Sequence, residues 1–158
     1  MANTQAMCTS FLGELLTATH NFGVAPTRAT TTADTIKAAL YLASATLNAS
    51  TTAYTTSGEV SGTNYLPGGV TVTNATVPTS TNSSTTAGVG YWTPSASIVY
   101  TTVTLSTSFD TVLLYNSTQS NKAISVHTFA AQTVTAGTFT ITMPSNTTTT
   151  ALLRLATS

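Results

Sequence analysis

Phe109-Asp110-Thr111-Val112-Leu113-Leu114-Tyr115 is a nearly continuous apolar run, the pattern expected of a strand at the centre of a sheet. The sequence around it repeats the theme at period two. Upstream, Ser97–Leu105 alternates with Ile98, Tyr100 and Val103 as inward anchors, and Gly90-Tyr91-Trp92-Thr93 reads as a short strand. Downstream, the polar stretch Asn116–Asn121 is a turn and Lys122–Phe129 alternates again. Thr133-Val134 and Thr138–Met143 flank an expected turn at Ala136-Gly137, Pro144 stops the second of them, and Ala151–Ala156 is a last strand carrying Arg154. Toward the N-terminus, Ile36, Ala38, Leu40 and Leu42 alternate with Lys37, Ala39 and Tyr41, although the three alanines also allow a helix. Val70, Val72 and Ala75 begin another strand after the Pro67-Gly68-Gly69 turn signal. About eight short strands with turn signals between them predict a mainly β fold: a single β-sandwich or jelly roll.

Residues 8–22 alone carry a helical period. Cys8, Phe11, Leu12, Leu15, Leu16 and Phe22 fall close to i, i+3, i+4, i+7 spacing and make one apolar stripe. The expected organisation is an arm, helix and connector over 1–33 and a β-sandwich domain over 34–158, with 1–7 an uncommitted arm. The stripe either covers the β-domain or docks on a neighbouring subunit, and its place at a terminus favours docking. Phe11, Leu12, Leu15 and Leu16 are therefore the candidate interface residues. Residues 43–69 are dense in Ser, Thr, Asn and Gly, with Tyr54 and Val60 as anchors, and 78–90 reads as a loop with almost nothing apolar.

Only 5% of the chain is charged, against about 25% in an ordinary soluble protein. Forty Thr and 17 Ser among the 158 residues take the place of charge. Thr is β-branched and stiff at χ1, which favours pleated sheet. The formal net charge is zero, whereas monomers keep soluble by staying away from zero, so the surface suits life inside an assembly. Four Lys and Arg scattered along the chain cannot neutralise a run of phosphates, which sets nucleic acid aside as a partner. No basic n-region and no long apolar run follows Met1, so neither a secretory signal nor a membrane span is expected, and the protein is expected to be made in a cytoplasm. Asn-x-Ser/Thr triplets at Asn48, Asn74, Asn82, Asn116 and Asn146 are then chance products of composition.

Catalytic chemistry finds little material. Glu14, Asp34, Glu59 and Asp110 are far apart in sequence, so only the fold could pair two of them for acid–base work. His20, placed on the helix, and His127, on a strand, meet no Gly-x-Ser-x-Gly and no cysteine pair, and Cys8 is the single thiol. Neither a metal site nor a phosphate-cradling loop is expected, and no cofactor follows. Tyr41, Tyr54, Tyr65, Tyr91, Trp92, Tyr100 and Tyr115 would suit a sugar-binding face, although strand aromatics more often fill cores or interfaces. The chain reads as a structural or binding protein, not an enzyme.

Several blocks carry a resemblance. Leu40-Tyr41-Leu42-Ala43-Ser44-Ala45 runs on through Thr51-Thr52-Ala53-Tyr54. Glu59-Val60-Ser61-Gly62-Thr63-Asn64-Tyr65 leads to Gly68-Gly69-Val70, and Leu114-Tyr115-Asn116-Ser117 leads to Lys122-Ala123. Gly137-Thr138-Phe139-Thr140-Ile141 and Leu153-Arg154-Leu155-Ala156 close the series. This order resembles a family of small β-rich proteins encoded among the virion genes of tailed bacteriophages, over roughly residues 34–156. The Glu-Val-Ser-Gly and Tyr-Asn-Ser blocks are its most specific parts. The resemblance implies a virion structural protein, first of all a capsid decoration (cement) protein on the capsid surface. Its implied partners are the major capsid protein and further copies of itself, a trimer being favoured. A neck or tail component and a glycan-binding attachment module with exposed aromatics near Tyr91 and Trp92 are the alternatives. The N-terminal helix departs from the shorter family pattern and suits an added anchor.

Overall fold

The computed structural model describes residues 2–16, 18–22, 33–73, 76–81 and 88–156. The element order is β1 (Ala6–Met7), α1 (Thr9–Leu16), β2 (Ile36–Leu42), β3 (Val70–Thr71), β4 (Thr79–Ser80), β5 (Val89–Trp92), β6 (Ile98–Asn116), β7 (Lys122–Ile141) and β8 (Leu153–Ala156). Two antiparallel sheets form, a five-stranded one in the order β1-β7-β6-β2-β3 and a three-stranded one in the order β4-β5-β8. The expected fold class, mainly β with one N-terminal helix, is what the chain adopts, and the two sheets are consistent with a sandwich.

The apolar run 109–115 lies mid-sheet, between β2 on one side and β7 on the other. Both of its faces are covered, which is why it shows no alternation. Tyr115 and Asn116 are neighbours in β6 and so point to opposite faces. The Tyr115 hydroxyl reaches the Gly68 carbonyl at 2.8 Å, in the 43–69 segment. The Asn116 amide reaches His20 and Asp34 on the other side. There Phe11, Phe22 and Trp92 follow one another in edge-on ring contacts of 5.9 and 4.8 Å, joining α1, the connector and the small sheet.

β6 and β7 correct the expectation of short strands. They are 19 and 20 residues long and form one hairpin about the polar turn 117–121. Polar interruptions predict a break in each strand, but the chain absorbs them as register shifts without turning back. Opposite Ser106-Thr107-Ser108 the extra residues fall on β6. At the expected Ala136-Gly137 turn, β7 instead inserts a residue: Ala136 takes φ +46° and donates its N–H to Thr104 Oγ1 at 3.0 Å.

Three further expectations change. The helix ends at Leu16 rather than continuing to Phe22, because Ala18 adopts φ +54° and Thr19 N–H donates to the Glu14 carbonyl, a six-to-one closing bond. His20 consequently lies past the helix. Residues 2–7 are not an uncommitted arm: β1 pairs with β7, and Asn3 donates to Leu42 O and Asp110 Oδ1 while accepting from Leu47 N. In the 78–90 stretch, Thr79–Ser80 and Val89 onward pair as β4 and β5. Pro26 and Arg28 of the connector, Ala75, and 82–87 lie outside the described residues.

Two backbone approaches are tight enough to demand glycine: at Gly62, where a Cβ would stand 2.0 Å from the Thr104 carbonyl oxygen of β6, and at Gly69. Gly69 has φ +69°, and a Cβ there would stand 1.7 Å from the Ala38 carbonyl oxygen of β2. Gly90, by contrast, has ordinary φ and would meet only Leu155 O at 3.9 Å. Gly69→Ala is expected to lower stability by at least about 2 kcal/mol, and Gly90→Ala by less than about 0.5 kcal/mol. Denaturant midpoints of the two variants, compared at equal m-value, check this.

Candidate functional site

The candidate interface residues separate once the chain is folded. Phe11 is only 2% exposed and belongs to the core, so it is corrected from interface to core residue. Cys8, on the same stripe, is fully buried, and burial pushes its thiol up to about 11, which leaves it a packing residue. Leu12 is 45% exposed and Leu15 is half-buried. Leu16 ends α1, and its side chain lies outside the described residues. The stripe thus covers its own β-domain: Cys8 N–H donates to Ile124 O of β7 and Thr9 N–H to Ala49 O. Leu15 borders a shallow, mostly apolar groove of about 420 Å³ whose far wall includes Pro78, Tyr91 and Leu155.

Beneath the groove floor lies a polar network that spacing alone did not suggest. Asn116 is wholly buried and uses every hydrogen-bonding position it has. Its amide donates to His20 Nδ1 at 3.0 Å and to Asp34 Oδ2 at 2.7 Å, while its oxygen accepts from the backbone of Thr118 and Gln119. Asp34 can only accept, which fixes the orientation of the amide. His20 Nδ1 must then accept too, which places the ring proton on Nε2, facing Glu14 Oε2 at 2.7 Å. Lys122 completes the chain by donating to Glu14 Oε1 at 2.7 Å. Burial alone would raise the Glu14 pKa, but the hydrogen bonds from Lys122 and His20 outweigh it and hold the carboxyl below its usual range. The fold therefore does bring Glu14 and Asp34 to one cluster, as ends of a chain of bonds rather than as a facing pair.

A second cluster sits on the opposite face. Glu59 accepts from Tyr54 OH at 2.7 Å, from Tyr65 OH at 2.8 Å and from Gly68 N–H at 2.7 Å. Tyr65 OH also accepts from Leu40 N–H, and Tyr100 OH donates to Ala38 O, both on β2. Tyr54 stacks on Tyr115 with centroids 4.7 Å apart. Burial, and after it the Glu59 carboxylate, raises Tyr115 to about 12 and pushes Tyr54, Tyr65 and Tyr100 further up. These hydroxyls stay protonated and act as donors.

The aromatic residues expected to suit a sugar-binding face are mostly taken up by the core. Tyr41, Tyr65, Tyr100, Tyr115 and Trp92 are buried, and only Tyr54 and Tyr91 are half-exposed. Trp92 spends its indole N–H on Thr76 O at 3.0 Å. Asp110, the fourth carboxylate, is held by Asn3 and by the Thr111 hydroxyl. His127 is half-buried beside Ser125 Oγ at 2.9 Å, and burial lowers its pKa to about 4. Among the described residues, no group of three or more His, Cys, Asp or Glu is placed to hold a metal ion, and no helix is long and apolar enough to cross a membrane. No family model matches the chain, and no curated protein or solved structure matches it either.

Two outcomes follow. Glu59→Gln replaces an acceptor of three donors by a group that presents its own N–H to one of them, and is expected to cost about 2 kcal/mol in a denaturant titration. The pH dependence has a defined sign. His127 and Glu14 both have folded pKa values below their unfolded ones, so each contributes stability at higher pH that is lost on acidification. Stability is expected to fall first between about 6.5 and 4 as the unfolded state takes up the His127 proton, and again below about 4.5 through Glu14. His127→Gln should flatten the upper step and leave the lower one, as read by thermal midpoints across pH.

Proposed function

We propose that this protein is a structural component of a tailed-phage virion, and within it a decoration protein that binds and stabilises the lattice of the major capsid protein. The observation that carries the reading is the employment of the carboxylates. Glu14, Asp34, Glu59 and Asp110 are the only four in the chain; three of them tie a segment outside the main strands to the large sheet, and Glu59 gathers Tyr54, Tyr65 and Gly68 of the 43–69 segment. Acid–base chemistry needs a group held toward substrate, and these face inward onto their own fold. Glu59 and Tyr115-Asn116, which belong to the most specific blocks of the phage resemblance, hold the two faces of the sheet together. A likeness at those positions is a likeness of scaffold.

Such a protein acts by binding alone. A ligand that binds only the intact lattice stabilises it by mass action, with no chemical step. Its surface offers hydroxyls and scattered apolar side chains instead of charge: Leu66 is 75% exposed, and Leu12 and Leu155 exceed 40%. A stable seat on the capsid would bury about 1,200–2,000 Å² in total.

The test is copy number per purified particle, by quantitative mass spectrometry against the major capsid protein, with heat and osmotic challenge of stripped particles. A simple fraction of the capsid-protein count, and weaker particles after stripping, are expected. A few copies per particle would move the protein to the neck or tail. Absence from particles, or stripped particles as resistant as complete ones, would remove the cement reading.

A further inference from the structure

β7 leaves most of one side open. Its outer neighbour β1 pairs with it only at Ser125 and Val126. From His127 to Ile141 the outer edge has no partner strand among the described residues. Such an edge is a row of unpaired N–H and C=O groups that folded proteins ordinarily blunt with Lys, Pro or inward charge. This one carries none: residues 127–141 contain no Lys, Arg, Asp, Glu or Pro. None of residues 130–138 is buried, and only Val134 among them packs partly against the core.

Register shifts interrupt the edge around residues 129–131 and at Ala136, and a further shift lies between Gly137 and Phe139, where the extra residue falls on β6 and Thr102 takes φ +52°. The run Gly137-Thr138-Phe139-Thr140-Ile141 carries no extra residue on β7 itself, and Phe139, Thr140 and Ile141 pair in register with Tyr100, Val99 and Ile98. It is β-branched and aromatic, uncharged and open, the composition that templates strand addition. Thr138 and Thr140 are exposed on one face, while Phe139 points into the core on the other.

We infer that Gly137–Ile141 is a self-association edge, at which a second copy of this chain adds antiparallel about a two-fold axis at Phe139. The occupant follows from the chemistry of the edge. With no charge to satisfy, it fits an uncharged strand, and every copy of this chain, whose net charge is zero, presents the same uncharged strand. Antiparallel pairing of identical strands is self-complementary and closes as a dimer. It extends the five-stranded sheet across the axis, sets Phe139 beside its mate on the core side, and sets Thr138 opposite the mate's Thr140 on the outer side. The interface is short, in the size class of weak associations, and is expected to associate in the micromolar range. The inference does not depend on the virion reading and can fail separately from it.

Sedimentation of the full chain over roughly 1–500 μM is expected to show a monomer–dimer equilibrium. Thr138→Lys with Thr140→Lys puts like charges directly opposite and should weaken dimerisation by about tenfold. Thr138→Glu with Thr140→Glu should do the same, and an equimolar mixture of the two variants should recover dimers. Hydrogen exchange of the unsubstituted protein gives a readout independent of variant folding, since amides of 137–141 should gain protection as concentration rises. A monomer throughout the range, a closed trimer, dimers indifferent to both charge pairs, or exchange at 137–141 that ignores concentration would each overturn the inference. A strand from another protein protecting the same amides in a chain that stays monomeric alone would overturn it too.

Discussion

Asn116 is the constraint on which the rest of the arrangement hangs. A fully buried amide left with an unpaired donor or acceptor costs on the order of 1–3 kcal/mol, so its position is tolerable only if everything around it is in place. His20 and Asp34 bracket the connector, Thr118 and Gln119 belong to the hairpin turn, and Asn116 itself ends β6. One side chain thus joins the N-terminal segment to the turn of the longest hairpin in the molecule. His20 passes the connection on to Glu14 and Lys122, so the start of β7 is tied to the helix as well. Buried networks of this kind reward completeness: fully satisfied, they specify one arrangement, and partly satisfied, they penalise it.

Glu59 plays the matching part on the other face. The 43–69 segment is long and has little regular structure of its own; its strand contacts are the isolated bridges Glu59 to Tyr41, Ala53 to Lys122 and Thr63 to Thr104. Loops of that length are ordinarily costly to order. Here they are fastened by a carboxylate that gathers Tyr54, Tyr65 and Gly68, and by tyrosine hydroxyls that reach β2. Low charge and many hydroxyls are two sides of one design. Neutral donors and acceptors can be buried in pairs without the desolvation cost of ions, and the four carboxylates are each given at least two donors.

The long hairpin has two halves of different character. Near the turn, β6 and β7 are covered on both faces and flanked by β2 and β1. Away from it, β7 has no outer neighbour among the described residues and loses most of its cover, while Val103 and Leu105 of β6 remain buried. A half-covered ribbon is marginal by itself. Its register shifts bend it and break up the edge, which limits indiscriminate pairing but leaves the run 137–141 open among the described residues.

Strand content was legible in the residues, because β-branched Thr and two-residue alternation follow from local sterics and from burial of one face. The continuous run 109–115 marked the central strand for the same reason: coverage on both faces removes alternation. The helix was legible as a stripe, but its end was not, since Ala18 in the left-handed region carries no compositional signal. The hairpin was read as pieces, because a bulge and a turn draw on the same polar and small residues and differ only in whether the chain reverses. Of the candidate interface, the apolar character of Phe11, Leu12 and Leu15 was plain, yet which of them points inward depends on the surface the helix meets. The two polar clusters were out of reach altogether. Glu14, His20, Asp34, Asn116 and Lys122 span more than 100 positions, and Tyr115 and Asn116 serve opposite faces from adjacent places. Composition and periodicity, which are local, settled what kind of structure forms. Which polar groups meet is a long-range matter decided by sheet register, and only the tertiary structure could decide it.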